Sequence, residues 1–218
     1  MKIELNDIQT RVLGCLMEKE QTTPEYYPLT LNSLTAACNQ KSSRHPVVNF
    51  DQSTVARAVE ELREKKLVLL VHDQGSRTAK YRHYLKEKLN LPIRQLALLT
   101  VLMLRGPQTP GELKNRTERA YKFDDLQEVL KSLQDLAEHD PPFVKELPRQ
   151  MGRKENRFVH LFASEPSVEE EPLLQDKAVM DVRAENERID QLEKRVAELE
   201  TQLKTVTKQF KLFKAQFE

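Results

Sequence analysis

The stretch from Phe50 to Leu85 constrains the fold most strongly, because it predicts a helix, a strand, a turn and a second strand in that order. Asp51 is typical of a helix N-cap. The apolar residues after it recur every three or four positions, as on one face of an amphipathic helix: Val55, Ala58, Val59 and Leu62. Two β-rich runs follow, 67–72 and 80–85, separated by a polar turn that contains Gly75. This order is that of the second half of a winged helix-turn-helix domain.

The residues before this stretch complete the same kind of domain. One helix pattern begins after Asn6 and another after Thr30, and both residues are good N-caps. A polar, basic segment, 39–46, joins the second helix to the helix capped by Asp51. Three helices and a two-stranded wing therefore predict a first domain over residues 1–88.

The second half of the chain repeats this pattern, which indicates an internal duplication. Thr109 and Pro110 begin a helix as Thr30 and Leu31 do. In the third helix, Val55, Ala58, Val59 and Leu62 match Leu126, Val129, Leu130 and Leu133 at a constant offset. In the wing, Gly75, Arg77, Lys80, Tyr81 and His83 match Gly152, Lys154, Arg157, Phe158 and His160. Three matches in the same order favour a second winged-helix domain over residues 89–165.

The remaining residues, 166–218, predict an acidic linker and a coiled coil. Heptad spacing places Val182, Ile189, Val196, Leu203, Phe210 and Phe217 at one core position, and Leu192, Leu199, Val206 and Phe213 at the other, with Glu185 as the polar exception. β-branched residues at the first position with leucine at the second favour a parallel two-stranded coil, and hence a homodimer. The alternative is one amphipathic helix that folds back on its own domains.

Composition agrees with a mainly α protein with small β-wings, in the α+β class. Charged residues make up 32% of the chain, and there are five glycines and no tryptophan. The net charge of +1 indicates neither a nucleic-acid nor a membrane partner.

No apolar run approaches the ~20 residues that cross a bilayer, and the first residues do not form a signal peptide, so we expect a cytoplasmic protein with no membrane partner. Cys15 and Cys38 are too few for a disulfide framework or a zinc site, and Cys15 is expected to be a buried small apolar residue.

Two short runs carry a family resemblance. Residues 27–34 read Tyr-Pro-Leu-Thr-Leu-Asn-Ser-Leu, and residues 37–44 read Ala-Cys-Asn-Gln-Lys-Ser-Ser-Arg. Together they resemble the YceH-like family of bacterial proteins, and the resemblance extends over residues 1–165. It implies a tandem winged-helix fold in a bacterial cytoplasmic protein, and it assigns no reaction, ligand or catalytic residue.

Three groups of residues are candidates for DNA contact in the first domain. They are the turn before the third helix (Asn39, Gln40, Lys41, Ser42, Arg44), the exposed face of that helix (Ser53, Thr54, Arg57) and the wing (Arg77, Lys80, Arg82). Asparagine and glutamine can read adenine, arginine can read guanine, and lysine and serine suit phosphates. The alternative is that the polar residues cap helices, the cations are solvated and the charged hairpin protects its own edge.

The second domain is expected to contact DNA less well than the first. The alignment pairs Ser53, Thr54 and Arg57 with Asp124, Asp125 and Glu128. An acidic helix face is repelled by phosphates. We therefore expect any DNA contact to come from the first domain.

Nothing in the sequence predicts catalysis, a cofactor or a metal. The five histidines stand apart without metal-ligand spacing, and no phosphate-binding glycine loop or nucleophile motif is present. The leading hypothesis is a dimeric, non-enzymatic protein that binds double-stranded DNA or regulates transcription. The alternative is a scaffold for protein partners. A third hypothesis is a regulator that senses a small molecule, with Tyr26 and Tyr27 lining a pocket rather than pinning a loop.

Overall fold

The computed structural model of this chain describes residues 3–72, 78–149 and 155–163, in which the chain is a mixed α+β protein. The helices of these ranges are α1 (Asp7–Thr22), α2 (Leu31–Cys38), α3 (Gln52–Glu64), α4 (Leu85–Leu89), α5 (Ile93–Arg105), α6 (Pro110–Thr117) and α7 (Leu126–Ala137), with one 3₁₀ turn at Pro24–Tyr26. The strands are β1 (Leu29–Thr30), β2 (Val68–Val71), β3 (Lys80–His83), β4 (Val144–Leu147) and β5 (Arg157–His160). They form two small antiparallel sheets, ordered β1-β3-β2 and β4-β5. The predicted linker and coiled coil, residues 166–218, lie outside the described residues.

Four helices begin at the caps that the sequence predicts, because a side chain there accepts a backbone N–H of the first turn. Asn6 Oδ1 accepts from the Gln9 N–H at 2.8 Å, and Gln9 Oε1 accepts from the Asn6 N–H at 3.1 Å. Thr30 caps α2, Asp51 caps α3 and Thr109 caps α6. The caps confirm the predicted helix starts.

Both halves contain three helices followed by two paired strands, and the first half also has strand β1 and helix α4. In the first sheet Val68 lies opposite His83, and in the second sheet Val144 lies opposite His160. Each of these histidines accepts, at its Nδ1 atom, the backbone N–H of the residue two positions later, at 3.3 Å in both halves. Burial lowers the pKa of His160 to about 4, so its ring is neutral at pH 7. The paired histidines are structural, and the arrangement is consistent with winged-helix-like units.

The observed register of α3 against α7 differs by three residues from the sequence alignment. Asp51 caps α3 and Asp125 caps α7, so these two residues correspond. Leu126 is 40% exposed and Leu130 is only half-buried. The buried positions of α7 are instead Val129, Ser132, Leu133 and Leu136. The prediction that Val59 corresponds to Leu130 was wrong, because α7 carries two leucines beside its buried face.

One hydrophobic core runs through both halves. Helix α1 packs along α5, and Gly14 lies where the two helices approach most closely. A Cβ atom at Gly14 would lie 3.0 Å from Leu104 Cδ2 and 3.3 Å from Met103 Cβ. The described residues between 3 and 163 belong to one compact unit, and the predicted boundary at residue 88 falls within helix α4.

Candidate nucleic-acid interface

The turn between α2 and α3 is built around the buried side chain of Arg44, which is 0% exposed. Its guanidinium donates to the two carboxylate oxygens of Glu18 at 2.9 and 2.6 Å. It also donates to the backbone oxygens of Ala37 (3.1 Å) and Ser43 (2.9 Å) and to Gln40 Oε1 (3.0 Å). These bonds use all of the ~5 N–H donors of a guanidinium. Arg44 is therefore a structural residue of the turn with no donor left for a base, and we remove it from the predicted DNA-facing set.

The ion pair with Arg44 keeps the carboxyl group of Glu18 ionised although it is largely buried. Burial of Glu18 favours the neutral acid, but the hydrogen bonds and charge of Arg44 outweigh it and keep the pKa of this carboxyl below its ordinary value. The ion pair is thus preserved at neutral pH. It ties the turn to α1, which packs against α5.

The two amide side chains of the turn are also occupied. Asn39 Nδ2 donates to the Phe50 carbonyl at 2.8 Å, and Asn39 Oδ1 accepts the Phe50 N–H at 2.8 Å. This pair of bonds clamps the two ends of the turn together. Gln40 Oε1 accepts from Arg44 and, at 3.4 Å, from Lys19. Both amides therefore hold the turn in place.

Exposed polar residues remain beside and on the first turns of α3. Lys41 and Ser42 are exposed in the turn, and Ser53 and Arg57 are exposed on α3, whereas Thr54 is half-buried. The opposite face of α3 is buried through Val55, Ala58, Val59 and Leu62, as predicted. One end of α3 thus presents a short polar and basic surface to solvent.

Two of the three predicted wing cations, Lys80 and Arg82, lie in the described part of the chain. Lys80 and Arg82 lie on β3 and are half-buried. Arg82 forms an ion pair with Glu87 of α4. Arg77 lies outside the described residues. Of the predicted wing cations, Arg82 is engaged within the protein.

The two tyrosines of the loop after α1 differ in environment. The hydroxyl oxygen of Tyr27 accepts the backbone N–H of His83 at 2.7 Å, and burial raises the pKa of this phenol. Tyr26 is 73% exposed. Tyr27 therefore anchors the loop to β3, and Tyr26 does not.

The corrected register changes the comparison of the two helix faces. Ser53, Thr54 and Arg57 correspond to Gln127, Glu128 and Lys131 rather than to three acids. The carboxylate of Glu128 accepts from the Tyr121 hydroxyl at 2.8 Å and from the Asp124 N–H at 3.0 Å. Only one of the three positions therefore differs in charge between the halves.

Comparison with known proteins assigns the chain to a family. A family model described as "Protein of unknown function, DUF480" matches residues 5–153. The chain belongs to the DUF480 family. This is also the YceH-like family, so the resemblance seen in the sequence is confirmed. A UPF0502 protein from Geobacter sulfurreducens is 51% identical over 220 residues, which cover the full length of both chains. Another from Solibacter usitatus is 51% identical over 201 residues, covering 91% of this chain and 94% of the relative.

The sequence did not predict a basic cleft that this DUF480 chain forms beside the turn. The cleft has a volume of about 450 Å³ and lies between the end of α1, residues 40–43, α5 and the end of α6. Its cationic lining residues are Lys19, Lys41, Arg105, Arg116 and Arg119. Each is close to the end of a helix or in a turn, but they come from four separate segments. Tertiary packing of both α1 and α6 on α5 brings them together.

The described part of this DUF480 chain shows neither a metal-binding cluster nor a membrane span. No group of three or more His, Cys, Asp and Glu side chains in those ranges is placed to hold a metal ion. None of their helices is both long and apolar enough to cross a bilayer. Cys15 and Cys38 are both fully buried in the core, which confirms the expectation for Cys15.

Proposed function

We propose that this protein is a non-enzymatic, cytoplasmic DNA-binding regulator made of two tandem winged-helix units, residues 1–88 and 89–165. The observation that carries the proposal is the placement of α3. This helix buries one face and exposes Ser53 and Arg57 on the other, and Lys41 is exposed in the turn that precedes it. The second helix of a helix-turn-helix reads the major groove in this way.

The charges of α3 favour contact through its first turns. Glu60 and Glu64 are exposed farther along the helix, where they would repel phosphates. At the start of the helix Asp51 acts as the N-cap, because its Oδ1 accepts from the Ser53 hydroxyl at 2.6 Å and from the Thr54 N–H at 2.7 Å. N-terminal residues of a recognition helix commonly contact the base edges, which suits Arg57.

The predicted coiled coil, residues 182–217, extends the proposal to a parallel homodimer. Two copies of α3 related by a twofold axis would match a palindromic DNA site. This part of the proposal is supported by the heptad pattern alone.

The experiment is fluorescence anisotropy of the full chain with genomic and random duplexes at several salt concentrations. Arg57→Ala is expected to relax preference at one base pair by about 1–3 kcal/mol if its contact is bidentate. Arg77→Ala and Lys41→Gln are expected to weaken binding to all sequences and to flatten the slope of log affinity against log salt by about 0.9 each. Arg63→Gln, on the same helix but ion-paired with Glu60, is the matched control. The absence of salt-sensitive binding by the full chain at low ionic strength would contradict the proposal.

The alternative, a scaffold for protein partners, is favoured by the exposed apolar surface of α7. Leu126 is 40% exposed and Leu130 is half-buried beside it, on a helix whose cap and first turn are acidic. Aliphatic surface of this kind suits a protein partner better than DNA. A Leu126→Ser variant that binds DNA normally but loses a protein partner would support this alternative.

A further inference from the structure

The basic cleft is a concave site with an apolar base. Its walls are the end of α1, residues 40–43 and the end of α6. One face of α5 forms the base, through Ala97, Thr100, Val101 and Leu104, which recur at helical spacing. A volume of about 450 Å³ lies within the range of small-ligand sites, ~300–1,000 Å³.

The lining carries an excess of positive charge. Five cations line the cleft, and Glu18 is the one carboxylate among its lining residues. Glu18 already pairs with Arg44 and, at 3.3 Å, with Lys19. Arg116 lies 3.4 Å from Glu112 on its own helix. Among the residues that the structure describes, these carboxylates leave most of the positive charge of the cleft uncompensated.

Arg105 is a half-buried cation of the cleft that lies close to other positive charges. Its side chain donates to Ser43 Oγ at 2.8 Å, which leaves further guanidinium donors for a ligand. Burial, and then the nearby charges of Arg116 and Arg44, lower the pKa of Arg105. A half-buried cation surrounded by other cations is stabilised by any anion that enters.

We propose that the basic cleft binds a small ligand that carries two or more phosphate groups. Guanidinium groups bind phosphate oxygens in bidentate fashion, and the cleft offers three of them, from Arg105, Arg116 and Arg119, together with two lysines. The apolar base would receive the uncharged part of such a ligand, such as the base of a nucleotide. The concave shape and limited volume suit a small molecule better than a duplex, whose phosphates lie on its outside.

Binding in the cleft would act on the turn that precedes α3. Residues 40–43 form one wall of the cleft and join directly to Arg44, which fixes the turn to α1. Ser43 has a φ angle of 60° and bridges the turn to Arg105. A phosphate bound by Lys41 and Arg105 would hold the turn against α5. This regulatory consequence rests on the proposed DNA binding, whereas binding of the ligand does not.

The test is isothermal titration calorimetry of the full chain with sodium tripolyphosphate and with ATP, without magnesium and without DNA. Wild-type protein is expected to bind one tripolyphosphate per chain, with affinity that falls as salt is added. Arg119→Gln, at an exposed position, and Arg105→Gln are each expected to weaken binding about tenfold or more. Lys131→Gln, on the exposed face of α7 and outside the cleft, is the matched control and should not change binding.

Three results would overturn the proposal. One is no detectable binding of either probe at millimolar concentration and low salt. Another is binding that Arg119→Gln and Arg105→Gln leave unchanged. The third is a duplex that binds in an Arg119-dependent way while tripolyphosphate and ATP do not, which would make the cleft a surface for nucleic-acid backbone. Because DNA is absent from the calorimetry, a failure of the cleft proposal is distinct from a failure of the proposed DNA binding.

Discussion

Replacing Glu18 with glutamine should destabilise the fold strongly, because it leaves the buried charge of Arg44 without a counterion. Arg44 is 0% exposed and the side chain of Glu18 is 16% exposed, so water screens the pair little. Breaking a buried pair by removing one partner costs about 3–5 kcal/mol. Glutamine keeps one of the two acceptor oxygens that Arg44 uses, at 2.9 and 2.6 Å, so we expect the lower end, about 3 kcal/mol.

Urea unfolding at pH 7, followed by circular dichroism, measures this loss. The control is Glu60→Gln, which removes the carboxylate of an exposed pair with Arg63 and should cost about 0–1 kcal/mol. If Glu18→Gln lowers the free energy of unfolding by no more than Glu60→Gln does, the assigned role of the buried pair is wrong.

The same pair predicts how stability depends on pH. The pKa of Glu18 in the folded chain lies below its ordinary value, so the folded state binds fewer protons than the unfolded state as pH falls. The stabilisation is fully present above the unfolded pKa of about 4.3 and is lost as pH falls through the folded pKa. Unfolding curves between about pH 6 and pH 3 should therefore be less steeply pH-dependent for Glu18→Gln than for wild type.

Three further predictions concern packing and assembly. Gly14→Val should lower the free energy of unfolding by about 1–3 kcal/mol through overpacking against α5, and by more than Gly14→Ala does; an unchanged thermal melt for Gly14→Val would contradict the close approach. Val59→Asp and Leu133→Asp should each cost several kcal/mol by burying a carboxylate, and unchanged melting curves for both would refute the corrected register. Because of the heptads of residues 182–217, the full chain should be a dimer in sedimentation equilibrium, and the chain truncated after Glu165 should be a monomer. A monomeric full chain at micromolar concentration would exclude the coiled-coil dimer.

The helix starts could be predicted from sequence because capping is a local interaction. Asn6, Thr30, Asp51 and Thr109 each bond to a backbone N–H only three residues away, so the signal lies within one short window. The buried face of α3 could also be predicted from sequence, since its apolar residues form a single stripe and indicate one face only. The short helix α4 lacked such a cap and was not predicted.

The register of α7 and the role of Arg44 depended on tertiary contacts that sequence spacing does not show. Leu126 and Leu130 extend the apolar stripe of α7 beyond its buried face, so spacing alone allowed two registers. Arg44 stands in a polar, basic segment that resembles a DNA-contacting turn, yet its partner Glu18 lies 26 residues away. A buried ion pair between distant segments leaves no periodic pattern, which is why Arg44 was predicted to face DNA.

The packing of α1 on α5 also has a consequence for synthesis of the chain on the ribosome. The surface of α1 around Gly14 can be covered only after α5, which ends at Arg105, has been made. At about 5–20 residues per second, the intervening stretch of roughly ninety residues takes about 5–20 s to translate. Throughout that interval the nascent first half carries an apolar helix face without its partner. This apolar surface of the chain is therefore exposed to aggregation while the protein is being made rather than after it has folded.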